Sequence, residues 1–133
     1  MQQFIDFFNQ NIYGFLATID GNRPRVRPWG FMFEDGGKIW FLTTNQKRVF
    51  KQLQENPYVE FCSCSPEFVC GRIGGKIEFC NDLEIKTRIL DERPALKDIY
   101  ETPDNPLLEA FYLEHGSASL YSSKLDIDEF IEF

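Results

Sequence analysis

The chain has 133 residues, 43% of them hydrophobic and 14 of them phenylalanine, which suits one domain with a single core and some apolar surface to spare. A formal net charge of −7 weighs against general affinity for nucleic acid or anionic membranes, both of which need net or patterned positive charge. No apolar run is as long as a membrane span, and MQQFIDFFNQN lacks the basic-then-apolar plan of a signal peptide, so a cytoplasmic protein with reduced cysteines is expected.

Along the chain, QQFIDFFNQN sets Phe4, Ile5 and Phe8 at helical spacing and predicts a short amphipathic helix. IYGFLATID reads as a strand closed by the turn Asp20-Gly21-Asn22. A long strand over Arg23–Glu34 follows. Strand alternation puts Arg23, Arg25 and Arg27 on one face of it and continues that face into Trp29, Phe31 and Phe33. The turn Glu34-Asp35-Gly36-Gly37 leads into the strand KIWFLTT, and these first strands are expected to form an antiparallel meander.

A helix is expected from about Gln46 to Glu55, with Val49, Phe50 and Leu53 buried and Asn56-Pro57 as its stop. YVEFCSCS and VCGRIGGKIEF are two further strands, the second bent at Gly74-Gly75. LEIKTRILDE and ALKDIY read as helices separated by Pro94. Pro103 and Pro106 bracket a loop, and LEAFYLEHGSASLYSS returns as a last strand. LDIDEFIEF fits either a strand or a short helix. The expected fold is therefore mainly β: a single domain over residues 1–133, built as a six-stranded antiparallel closed or split barrel with short flanking helices.

Two basic stretches carry the chemistry. In TTNQKRVFKQ, Thr44 or Asn45 suits a helix N-cap, yet Lys47, Arg48 and Lys51 follow in the first turns, where cations oppose the helix macrodipole. A bound anion resolves that conflict, and free amides, hydroxyls and a lysine at a helix start are what a phosphate needs. If the strands RVRP and FLTT pair through the hairpin, Arg25 and Arg27 meet Thr43, Thr44, Asn45 and Lys47 at one anion site. Trp29 lies about 13 Å further along the strand, at roughly 3.3 Å per residue. A phosphate tethered to a flat apolar ring spans that distance. A phosphorylated flavin fits this face better than a nucleoside triphosphate, for which no glycine-rich phosphate loop exists.

These same residues, A-T-x-D-G, R-x-R-P, T-x-N-x-K and N-P-x-V in this order, resemble the pyridoxamine 5′-phosphate oxidase-like family of flavin-binding split barrels. The resemblance runs from GFLATIDGN to NPYVEF and, more weakly, through RIGGKIEF and the last strand. It implies a homodimer with FMN at the subunit interface. It further implies that Arg25, Arg27 and Lys47 hold the phosphate, that Asn45 helps close its pocket, and that Val26, Pro28, Trp29 and Thr43 line the flavin. The oxidase proper holds its vitamin substrate with an arginine-rich C-terminal segment, whereas this chain ends in the acidic LDIDEFIEF. That enzyme is therefore not the expected function.

His115 is the only histidine, which excludes multi-histidine metal sites, and the Cys62–Cys64 spacing matches no zinc pattern. No catalytic residue can be named. The expected function is an FMN-dependent oxidoreductase of a small organic substrate. The alternatives are a non-catalytic flavin-binding or electron-carrier protein, and a binder of a deazaflavin or haem on the same barrel.

Overall fold

A computed structural model describes residues 1–133. In chain order the elements are α1 (Gln2–Gln10), β1 (Tyr13–Asp20), β2 (Arg23–Gly30), β3 (Phe33–Asp35), β4 (Lys38–Thr44) and α2 (Arg48–Glu55). They continue with β5 (Tyr58–Cys64), β6 (Cys70–Phe79), α3 (Leu83–Glu92), α4 (Pro94–Tyr100), β7 (Leu108–Leu113), β8 (Ser117–Ser122) and β9 (Ile127–Glu132). The nine strands form one antiparallel sheet in the order β2-β1-β5-β6-β7-β4-β3, with β8 joined to β6 and β9 to β8. The sheet curls without closing, which makes the fold a mainly β split barrel with flanking helices.

Nine strands stand where six were expected because three segments behave differently from their sequence reading. The run Arg23–Glu34 breaks between β2 and β3. Phe31 and Met32 are consecutive and both buried, Phe31 in the barrel core and Met32 in a second cluster, which a regular strand cannot do on one face. Arg93 holds the break, donating to Phe31 O at 2.7 Å and to Met32 O at 3.3 Å. The last expected strand divides at Glu114–Gly116 into β7 and β8, and the undecided tail forms β9.

β6 is the pivot. Its first half pairs with β8, from Cys70↔Tyr121 to Gly74↔Ser117, and its second half with β7, from Ile77↔Leu113 to Phe79↔Phe111. The change of partner falls at Gly74-Gly75, where a bend was expected. The β7–β8 connection presses directly on this bend, since a Cβ on Gly116 would lie 2.1 Å from Gly74 O. Only glycine tolerates so close a backbone approach.

The phenylalanines account for the core. Phe4, Phe8, Phe31, Phe41, Phe61 and Phe111 are fully buried, with α1 closing one end of the barrel through Phe4, Ile5 and Phe8. A smaller cluster of Trp40, Leu42, Ile89, Leu90 and Leu108 seats α3 on the outside of β4 and β7. No helix is long and apolar enough to cross a membrane.

Candidate functional site

The register of β1 with β2 decides where the arginines point. Leu16 lies opposite Arg27, Thr18 opposite Arg25 and Gly14 opposite Trp29, so the Arg25–Arg27–Trp29 face of β2 shares the side of buried Leu16 and Thr18. Pro24, Val26 and Pro28 take the other side, with Phe15 and Ala17.

Arg27 is the anchor of this corner. Its guanidinium donates to Leu16 O at 3.1 Å, to Thr18 Oγ1 at 2.8 Å and to Gln52 Oε1 at 2.8 Å. Thr18 also donates to Gln52 Oε1, at 2.6 Å. The network ties the edge strand β2 and β1 to α2, and burial lowers the Arg27 pKa from its ordinary value. Gln52 is buried in the helix stripe between Val49 and Leu53, a polar residue at an apolar position, and sequence reasoning passed over that signal.

The expected hairpin forms only at its turn end, where β3 pairs with β4 from Phe33↔Trp40 to Asp35↔Lys38, and it does not extend to β2. β2 pairs with β1 alone, while β4 lies between β3 and β7. The two basic stretches meet nonetheless, because α2 packs across β1 and carries Lys47 to the arginine face. Lys47 Nζ sits 5.9 Å from the centre of the Trp29 ring, within range of a cation–π contact. Helix α2 starts at Arg48 rather than Gln46, with Lys47 as an N-cap that makes no side-chain capping bond. Its first amides are thus free of any side-chain cap.

Around these residues run two adjoining grooves. A cationic one of about 580 Å³ is lined by Arg25, Arg27, Lys47, Arg48 and Gln52, with Val26, Pro28 and Trp29 along its edge. Arg25 pairs with Asp20 at 3.2 Å, but no carboxylate pairs with Lys47 or Arg48. A smaller one of about 180 Å³ shares Pro28, Trp29 and Lys47 and adds Met32, Leu42, Thr43, Leu96 and Tyr100. Leu96 and Tyr100 come from α4, the helix expected over ALKDIY, which stands over the end of this groove.

Of the residues expected at the site, Arg25, Val26, Arg27, Pro28, Trp29, Thr43 and Lys47 line one or other groove. Thr44 and Asn45 line neither. Thr44 is buried on the opposite face of β4, alternating with Thr43. The Asn45 amide donates to Pro106 O at 2.8 Å and to Glu109 Oε1 at 3.3 Å, which fixes the loop before β7 instead.

The residues present fit a phosphorylated, flat heterocycle. Cations without partners and an uncapped helix start occupy one end of the groove, and apolar and aromatic walls the other. Thr43 also lines the smaller groove, and its buried Oγ1 has no hydrogen-bond partner within the chain.

The family model for pyridoxamine 5′-phosphate oxidase matches residues 1–114. The chain belongs to the pyridoxamine 5′-phosphate oxidase-like family. A NimC/NimA family protein from Clostridium acetobutylicum is similar at 30% identity over 100% of this chain and 93% of that one, with a TM-score of 0.90. More distant structures share the fold. A heme binding protein from Mycobacterium smegmatis is 14% identical over 93% of this chain and 54% of that one, with a TM-score of 0.76. An F420 reductase is 20% identical over 77% and 84%, with a TM-score of 0.58. No curated protein matches the chain. The stretch of this chain beyond the family match contains β8 and the acidic β9, with Asp128, Glu129 and Glu132 exposed.

Proposed function

We propose that this chain is an FMN-binding oxidoreductase that acts on a small organic substrate as a homodimer. The observation that carries the reading is the pair of adjoining grooves that share Pro28, Trp29 and Lys47, one with the unpaired cations Lys47 and Arg48 and the other with the Thr43 hydroxyl that lacks a partner. Lys47 and Arg48 neutralise a terminal phosphate at the start of α2. Arg27 holds β2 against α2, so the edge strand can present its backbone and Trp29 to the ring. Bound there, the flavin supplies the hydride or electron chemistry, and the protein supplies position and electrostatics.

A second copy completes the site. The outward face of β2, β1, β5, β6, β8 and β9 exposes Val26 (64%), Phe15 (55%), Tyr58 (54%) and Phe130 (63%). These apolar side chains, interleaved on the same face with exposed Glu60, Arg72, Asp128 and Glu132, are the surface offered to a partner. It is continuous with the groove through Val26 and Pro28, which belong to both, so a symmetric partner laid on it covers the open side of the ring.

The enzyme reading is tested by electron transfer. Chemically reduced protein should pass electrons to a quinone or a nitroaromatic faster than free reduced FMN does at equal concentration. Trp29→Ala should change that rate more than it changes FMN affinity. A rate no better than free flavin for every acceptor class would turn the reading to an electron carrier.

A further inference from the structure

Three of the four cysteines gather at one place that the flavin groove does not use. Cys62 and Cys64 on β5 and Cys70 on β6 point to the same outer face of the sheet, and the Cys62 and Cys70 sulfurs are 3.4 Å apart. Cys64 and Cys70 are direct register partners flanking the turn at residues 65–69. Within that turn, Ser65 N donates to Val69 O at 2.9 Å. Hydrogen-bonded and non-hydrogen-bonded pairs alternate along an antiparallel ladder, so Cys64 and Cys70 occupy the next, non-hydrogen-bonded position. There the Cα atoms stand about 4.5 Å apart, inside the range a disulfide spans. Cys62 is diagonal to Cys70, where Cα separations of about 7–8 Å exceed that range.

We propose that Cys64 and Cys70 are a dithiol site that closes into a cross-strand disulfide at the turn end of the outer face. Cys64 is the exposed member and makes the first attack. The oxidant is a small-molecule disulfide such as oxidised glutathione. The Cys64 sulfur, giving its proton to solvent, displaces one glutathione thiolate and forms a mixed disulfide. The Cys70 sulfur, likewise deprotonated, then attacks the Cys64 sulfur and expels the second glutathione thiolate. Two electrons leave the protein thiols, one S–S bond forms in the protein, and the reagent departs as two thiols, each taking up one proton. Burial, together with the other thiols of the trio, pushes Cys62 up to about 12 and raises Cys64 from its ordinary value, which makes the exchange slow. The bond fastens the turn that carries Phe68, a 75%-exposed aromatic at φ 64°, at the turn end of the same outer face assigned to the second copy, so the exchange takes place on the free protomer.

The test is to hold the purified full-length protein with oxidised glutathione and measure its intact mass, then map a non-reduced digest. The expected product has lost two hydrogens, keeps no glutathione, and links the peptide of Cys64 to that of Cys70. Cys62→Ser and Cys80→Ser should keep the link, while Cys64→Ser and Cys70→Ser should reduce it to background with unchanged circular dichroism. Lasting glutathione adducts without an internal bond, a Cys62–Cys70 link, or thiols that react only after unfolding would each overturn the proposal.

Discussion

Lys47 and Arg27 look alike in sequence, as two cations of one anion site, and the structure gives them different work. Lys47 is exposed, with no carboxylate partner, and leans over Trp29. Lys47→Ala should weaken FMN by about 1.5–3 kcal/mol, the range for hydrogen bonds to a charged group, and leave riboflavin affinity and thermal stability nearly unchanged. Arg27 donates to Leu16, Thr18 and Gln52, so Arg27→Ala should lower the melting temperature as well as weakening both flavins. Comparing the two variants in FMN and riboflavin titrations and in thermal melts separates the roles. Equal losses for riboflavin and FMN in Lys47→Ala would remove the phosphate assignment. Tyr112 gives a second prediction at this scale. Its hydroxyl donates to Glu78 at 2.8 Å, and that bond, with a smaller share from burial, raises its pKa to about 12. A phenol whose folded pKa is raised stabilises the fold fully below the unfolded value of about 10 and loses that contribution as pH rises to about 12. One tyrosine should therefore ionise near pH 12 in an ultraviolet titration, and Tyr112→Phe should remove that step.

Elements were legible where a single periodicity governed them, and obscure where one segment served two surfaces. The stripe Phe4-Ile5-Phe8 and the glycine pair Gly74-Gly75 announced α1 and the bend in β6 directly. Phe31 and Met32 did not announce the break in β2–β3, because a strand reading counts apolar residues without saying which of two cores each enters. The hairpin expected to join the two basic stretches pairs β3 with β4 and leaves β2 beside β1 alone. The groove forms because α2 crosses β1, a tertiary contact that no local pattern encodes. Thr44 and Asn45 were drawn in by proximity in sequence to Thr43 and Lys47, but strand alternation and the bond to Pro106 take them elsewhere. The β7–β8 crossing is testable at this scale. Gly116→Ala forces a Cβ against Gly74 O, and overpacking of this kind costs typically about 1–3 kcal/mol. Denaturant unfolding should show that loss. An unchanged midpoint would mean that the crossing relaxes freely.

At the scale of the whole molecule, the claims are assembly and cofactor. One chain leaves Phe15, Val26 and Phe130 in solvent on a single face that adjoins the cationic groove through Val26. Phe15→Asp and Val26→Asp should therefore yield monomers by light scattering and weaken FMN together, since the same partner surface closes the site. Monomers in the unaltered protein with flavin bound would break that link. The measurement that tests the account most directly is a titration of the purified protein with FMN, FAD and riboflavin, followed by flavin absorbance and by mass of the bound species. The account predicts about one FMN per chain, bound more tightly than FAD or riboflavin, with the advantage over riboflavin lost in Lys47→Ala. Tighter binding of FAD, or a preference for riboflavin equal to that for FMN, would contradict it.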